Sequence, residues 1–134
     1  MAAAANTQKI SVIIPALNEA DSVGVLCAAL QPLRQRGHEV ILVDGGSTDQ
    51  TIAIAESQTD RVISAARGRA LQMRAGAAAA KGSVFWFLHA DTGVPEKADQ
   101  LILDALENHN AQWGRFDIAL SDRHPMLVCV AFMM

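Results

Sequence analysis

Four short segments carry residues able to do chemistry. They are Pro15-Ala-Leu-Asn-Glu19, Asp44-Gly-Gly-Ser-Thr-Asp49, Ala65-Ala-Arg-Gly-Arg69 and His89-Ala-Asp-Thr92. Each holds at least one ionisable side chain, and each directly follows a short run of β-forming apolar residues. Taken singly, each has an ordinary structural explanation. Asp44 can open a turn, and Glu19 can favour a helix N-terminus. His89 can be a packed or hydrogen-bonded histidine. Taken together they place carboxylates, an imidazole and guanidiniums at successive strand ends, where open α/β sheets bind their ligands. His89 and Asp91 are close enough to reach one divalent ion if their loop leaves the extended form. Two protein donors do not complete a metal site, but a bound diphosphate can supply the remaining oxygens, as is usual for Mg²⁺.

Charge is unevenly distributed. The chain is acidic overall, with a net charge of -3. Yet Arg61 to Ala90 contains Arg61, Arg67, Arg69, Arg74 and Lys81 and no acidic residue. Gly68 in this stretch allows a close backbone approach, and the helix that follows offers its positive end to an anion. The chemistry implied around Arg67 and Arg69 is a phosphate or diphosphate site. Arg74 and Lys81 fit a solvated helix face better.

The elements that must position these residues alternate along the chain. Ile10–Pro15 is a β-branched run that a proline stops. Glu19–Arg36 has helical spacing, with Val23, Leu26, Cys27 and Leu30 on one face, and Pro32 should kink or end it. Val40–Val43 reads as a second buried strand. Asp44–Asp49 turns into a short helix over Thr51–Gln58, with Ser47 or Thr48 as its expected cap. Arg61–Ser64 is a third strand, and Gly68–Ala80 is an Ala-rich helix. Ser83–Leu88 is the fourth and most apolar strand. Pro95 precedes a helix reaching Asn108. Gly114–Leu120 reads as a fifth strand, and Pro125 is expected to open a last helix. This alternation, with near-continuous apolar strands, predicts an α/β fold built on a mostly parallel sheet with flanking helices.

Composition excludes other classes. At 134 residues the chain is long enough for one domain. Hydrophobic residues make up 51%, but alanine supplies 24 of the 134, so the core must come from a few concentrated runs. The charge balance argues against a nucleic-acid partner. Cys27 and Cys129 are too far apart in sequence for a CxxC site, which points to a reducing, cytoplasmic setting. The longest apolar run, Met126–Met134, is about half of the ~20 residues that a membrane span needs. Membrane contact is therefore not indicated, although the same run leaves peripheral association at the inner face of the membrane open. Residues 1–8 read as a disordered tail and 9–134 as a single domain. There is no GxxxxGK[ST], no GxGxxG after the first strand and no GxSxG elbow.

The residues that remain resemble a known family. SVIIPALNE at Ser11–Glu19, VDGGSTDQT at Val43–Thr51, Gly68-Arg-Ala and FLHADT at Phe87–Thr92, followed by Pro95, are similar to the motifs of glycosyltransferase family 2 in order and spacing. The VDGGSTD and LHADT forms look most like a bacterial subgroup. The resemblance implies a GT-A, Rossmann-like fold. It also implies a nucleotide-sugar donor, usually a UDP-sugar, a Mg²⁺ or Mn²⁺ cofactor, and transfer with inversion to an acceptor it does not identify. Carried over by position, Pro15, Ala16, Leu17 and Glu19 would line the nucleoside. Asp44 would contact the base or ribose. Gly68, Arg69 and Ala90 would lie against the base or diphosphate, with Asp91, joined by His89, at the metal.

The sequence departs from the family pattern at three places. Gly45 stands where many members have a second Asp that holds the base. His89 stands where the first Asp of a DxD motif is usual. The region that supplies the acceptor pocket and general base in family members is absent, so the chain is expected to be a C-terminally incomplete domain, and no catalytic base is assigned. Asp117 and Asp122 have the right chemistry but no supporting pattern. Two functions fit: a glycosyltransferase, or a truncated, inactive module that holds nucleotide-sugar without transferring it. Sugar transfer or donor hydrolysis separates them.

Overall fold

A computed structural model of the chain describes residues 8–108, together with the backbone of two strands at 113–116 and 128–131. The expected tail, the candidate bases Asp117 and Asp122 and the expected helix start at Pro125 lie outside the described residues. The strands are β1 (Ile10–Ala16), β2 (Glu39–Asp44), β3 (Arg61–Ser64), β4 (Val84–Phe87), β5 (Trp113–Phe116) and β6 (Val128–Ala131). The helices are α1 (Ala20–Ala29), α2 (Gln31–Gln35), α3 (Thr51–Glu56), α4 (Arg69–Ala79) and α5 (Ala98–Asn108).

The strands form one sheet in the order β3-β2-β1-β4-β6-β5. β1 runs parallel to β2 and β4, and β2 parallel to β3. β6 is antiparallel to both β4 and β5. The sheet is thus mostly parallel, as the alternation predicts, with the central strand β1 hydrogen-bonded on both sides. That position explains the near-continuous apolar run from Ile10 to Ile14, since both faces of the strand are covered.

Side-chain alternation divides the core between the two faces. Ile10, Val12 and Ile14 pack on one face with Leu26, Leu30, Leu33, Leu42, Trp86 and α5 residues such as Ile102. Ile13, Ile41 and Val43 pack on the other, against Ala75 and Ala77 of α4 and Phe85 and Phe87 of β4. Burying each large aliphatic side chain contributes ~1.5–3 kcal/mol. The Ala-rich composition of α4 lets it lie close to the sheet. A Cβ at Gly76 would come within 2.4 Å of Ile13 Cγ2 and 2.9 Å of Val43 Cγ2.

The interruption expected at Pro32 is present: Glu19–Arg36 holds two helices, α1 and α2, because Pro32 sits in the first turn of α2 and cannot continue the α1 ladder. Two local expectations are corrected. α3 takes no side-chain cap from Ser47 or Thr48; those residues bond across to Asn18 instead. The expected last helix is strand β6 over Val128–Ala131. A short apolar run does not distinguish helix from buried strand by itself. Here β-branched Val128 and Val130 favour the strand, and the free edge of β4 supplies the partner. No helix among the described residues is long and apolar enough to cross a membrane.

At the opposite end of the sheet from the strand-end loops, Glu39 is buried and bonds Ser11 and the loop before β4. Its Oε2 accepts from Ser11 Oγ at 2.6 Å and from the amides of Lys81 at 2.6 Å and Gly82 at 3.1 Å. These bonds fix the entry of β4 beside β1.

Candidate functional site

The loops after β1, α4's N-terminus and the loop after β4 converge on a cleft of about 270 Å³. It is lined by Pro15, Ala16, Leu17 and Glu19 from the first loop, and by Arg67, Gly68, Arg69 and Gln72 at the start of α4. His89, Ala90 and Asp91 from the loop after β4 complete it. Every site residue expected from sequence lies here except Asp44. Arg74 and Lys81 are outside the cleft and exposed, Arg74 on the solvated face of α4 and Lys81 in the loop after it.

The second loop supports the first. Asn18 adopts a left-handed backbone with φ 53, a conformation Asn tolerates better than most residues. Its amide donates to Ser47 Oγ at 2.9 Å, and its Oδ1 accepts from the Thr48 amide at 2.8 Å. The Glu19 amide donates to Thr51 Oγ1 at 2.9 Å, and the Ala20 amide to Asp49 Oδ2 at 3.1 Å. Thr51 in turn donates its amide to Asp49 Oδ1 at 3.0 Å. The Thr51 hydroxyl also donates to Asp49 Oδ1, and this side-chain bond is the leading reason that the Asp49 pKa lies below the usual carboxylate value. The Ser, Thr and Asp residues of the GGSTDQT run therefore bind the chain itself. They satisfy the unpaired amides at the start of α1 and hold the Pro15–Glu19 loop in place.

Asp44 is the residue the structure sets apart. It is 3% exposed and does not line the cleft. Its Oδ2 turns back to accept from the amides of Gly46 at 2.9 Å and Ser47 at 3.0 Å, the local turn its residue type favours. Its Oδ1 is buried with no hydrogen-bond partner among the described residues.

Gln72 is the cleft residue that the sequence reading missed. It is 4% exposed. Its Nε2 donates to Ala16 O and Val43 O, both at 3.0 Å, and its Oε1 accepts from the Gly68 amide at 3.2 Å. The available signal was a polar residue one turn before Gly76 on the buried face of an Ala-rich helix. Gly68, at φ 142, occupies a region that side chains rarely adopt and opens α4 directly at the cleft.

Electrostatically the cleft is mixed. Arg67 and Arg69 stand on one wall, with the positive end of α4 beneath them. Glu19 and Asp91 supply carboxylates on the others. Glu19 Oε2 accepts from Ser22 Oγ at 3.0 Å. The β4 loop is closed by a bond from the Thr92 amide to His89 O at 3.1 Å, which puts His89 and Asp91 on one turn. No cluster of three or more His, Cys, Asp or Glu able to hold a metal occurs among the described residues. His89 and Asp91 make two donors, a set that fits a divalent ion only if a ligand's oxygens complete its shell. A carboxylate lining the same cleft as two arginines is a setting in which such a cation can bridge protein and anion.

Two further groups lie away from the cleft. His38 and Asp99 are buried where α2 leads into β2, beside α5. Cys27 is a buried thiol of α1, its pKa raised by burial.

The comparisons agree with this architecture. Glucosyl-3-phosphoglycerate synthase from Mycobacterium tuberculosis superposes with a TM-score of 0.70 at 27% identity, over 80% of this chain and 43% of that one. The same enzyme in complex with Mn²⁺, UDP and glucosyl-3-phosphoglycerate matches with a TM-score of 0.58 at 29% identity, over 63% of this chain and 34% of that one. Mannosyl-3-phosphoglycerate synthase from Rubrobacter xylanophilus shares the fold, with a TM-score of 0.66 at 23% identity over 79% of this chain and 39% of that one. The chain therefore spans less than half the length of these structures. No curated protein matches it in sequence. The fold is the α/β GT-A type. The profile described as "Glycosyl transferase family 2" matches residues 11–126, and on that match the chain belongs to glycosyl transferase family 2.

Proposed function

We propose that the chain is the donor-binding part of a glycosyltransferase that moves a sugar from a UDP-type nucleotide-sugar to a hydroxyl acceptor with inversion. One observation carries the reading: the arginine wall of Arg67 and Arg69 and the Asp91 carboxylate line one cleft at the strand ends of a GT-A sheet. The mycobacterial relative, crystallised with UDP and Mn²⁺, supports the same ligand class. Pro15, Ala16 and Leu17 would contact the nucleoside, and Glu19 would stand at its edge. Gly68 and Arg69, with Ala90 opposite, would hold the diphosphate.

In the reaction the acceptor oxygen forms a bond to the anomeric carbon as the bond from that carbon to the diphosphate oxygen breaks. The hydroxyl proton passes to a base, and the nucleoside diphosphate leaves with the bonding pair. Negative charge grows on the diphosphate, where Arg69 and the α4 N-terminus stabilise it. Mg²⁺ or Mn²⁺, held by Asp91 and His89, would supply further positive charge there.

The alternative reading is a module that binds donor without transferring sugar. Both readings predict the same binding result. UDP with Mn²⁺ at about 100 times its dissociation constant should add ~2.7 kcal/mol, raising the melting midpoint by several degrees. Asp91→Asn should remove the metal-dependent part. A cooperative melt that UDP and Mn²⁺ leave unmoved would sink the donor site. Hydrolysis or transfer from a UDP-sugar by the purified chain would exclude the non-catalytic module.

A further inference from the structure

Gly45 and Gln72 are coupled by space. A Cβ at Gly45 would stand 2.8 Å from Gln72 Oε1, 2.9 Å from Cδ and 3.0 Å from Nε2. The Gln72 carboxamide thus fills the volume that any side chain at position 45 would need, which gives a physical reason for glycine there. The same carboxamide is held on three sides. Its two N–H groups reach Ala16 O at the end of β1 and Val43 O near the end of β2, and its oxygen takes the Gly68 amide at the start of α4. Each partner belongs to a different segment around the cleft, and Gln72 also lines the cleft itself.

We propose that Gln72 is the positioning residue for the donor cleft, fixing the β1, β2 and α4 ends in one register. The inference rests on the donor reading for the ligand involved. The loop register itself does not depend on that reading. The geometry leaves little tolerance. Without the carboxamide's N–H groups, Ala16 O and Val43 O both lose their side-chain donor, and Ala16 O is left with the Gly45 amide at 3.0 Å. Ala16 and Gly68 then have no common partner, and the gap between the nucleoside wall and the diphosphate wall is no longer set.

The test uses two variants of the purified chain and a third that acts from the opposite side. Gln72→Met keeps the volume and removes all three bonds. Gln72→Glu keeps the shape and an acceptor for the Gly68 amide but removes both donors. Gly45→Ala presses on Oε1 without touching residue 72. Each is read by thermal melt, by hydrogen exchange at the Gly68 amide, and by UDP titration with Mn²⁺. We expect all three to melt cooperatively. Gly68 exchange should be about tenfold faster in Gln72→Met and Gly45→Ala, and near wild type in Gln72→Glu. The UDP dissociation constant should rise about tenfold or more in both Gln72 variants. Wild-type UDP affinity in either Gln72 variant, or unchanged Gly68 exchange in Gln72→Met, would overturn the proposal. If the wild-type chain binds no UDP, the donor reading falls. Gly68 exchange in Gln72→Met and Gly45→Ala then decides the register by itself. Should Gln72→Met fail to fold, Gly45→Ala carries the same exchange test.

Discussion

Gly76 rests against Ile13 with no room for a methyl group, since an added Cβ would lie 2.4 Å from Ile13 Cγ2. This contact sets the height of α4 above β1. Gln72 lies one turn earlier on the same helix face, and both residues are buried. The close approach at Gly76 is therefore what brings the Gln72 carboxamide within reach of Ala16 O and Val43 O.

Gly76→Ala should destabilise the protein although alanine is the better helix former. The propensity gain is at most ~1 kcal/mol, whereas overpacking a tight contact costs about 1–3 kcal/mol. Ile13 and Val43 are both fully buried and have nowhere to retreat. The melting midpoint should fall by several degrees. A midpoint equal to or above wild type would show that α4 is free to lift from the sheet.

Asn18→Ala should loosen the first loop. It puts at φ 53 a residue that tolerates the left-handed region less well than Asn, and it removes the Oδ1 that accepts from the Thr48 amide at 2.8 Å. The expected loss is about 1–2 kcal/mol. Asn18→Gly should recover the backbone part alone, because glycine adopts that φ without strain. Equal melting midpoints for the two variants would mean that the side-chain bond, rather than the backbone conformation, sets the cost.

How far the sequence revealed this arrangement differs by residue. Strand runs such as Ile10–Ile14 and Val40–Val43 were legible because burial on both faces demands continuous apolar residues. Cleft residues such as Leu17, Glu19, Arg69 and Asp91 were legible because ligand sites in such folds lie at strand ends. Gln72 was not, since its role depends on how deeply α4 packs, and that is set by Gly76 against Ile13. Spacing located the Asp44 loop, but the direction of its Oδ2, turned onto the amides of Gly46 and Ser47, is set by the local turn and is not written in the spacing. β6 was read as a helix because its pairing partner, the edge of β4, is distant in sequence.

Arg69→Ala should weaken UDP binding more at low salt than at high salt. Arg69 is exposed at the cleft, so its attraction for a diphosphate is screened within a Debye length of ~10 Å at 0.1 M salt. A charge-assisted bond of this kind contributes about 1.5–3 kcal/mol, which corresponds to a loss of about tenfold to a hundredfold in affinity. Arg74→Ala, outside the cleft, is the control and should change affinity little. An equal effect of the two would show that only the general charge of the segment matters.

Acid should destabilise the fold in two stages, through the cluster that ties α2, β2 and α5 together. His38 Nδ1 accepts from the Ile10 amide at 3.0 Å, so the ring must be unprotonated at that nitrogen, and its Nε2 faces Asp99 Oδ2 at 3.2 Å. Burial lowers the His38 pKa below its ordinary 6.5, although Asp99 pulls the other way. Burial pushes the Asp99 carboxyl upward, but Arg36, with two bonds of 2.7 Å, outweighs it and leaves the pKa below its ordinary 3.8. Both groups are depressed in the folded state, so the unfolded chain binds protons first as pH falls, and each contribution is complete only above the unfolded value. Stability due to His38 should begin to decline near pH 6.5 and be lost as pH passes its lower folded value; that due to Asp99 should follow below about pH 4. His38→Asn can still accept from the Ile10 amide and does not titrate. Its melting midpoint should therefore vary less with pH between about 6.5 and 5 than the wild type's. An identical slope in the variant would assign the acid sensitivity to other groups.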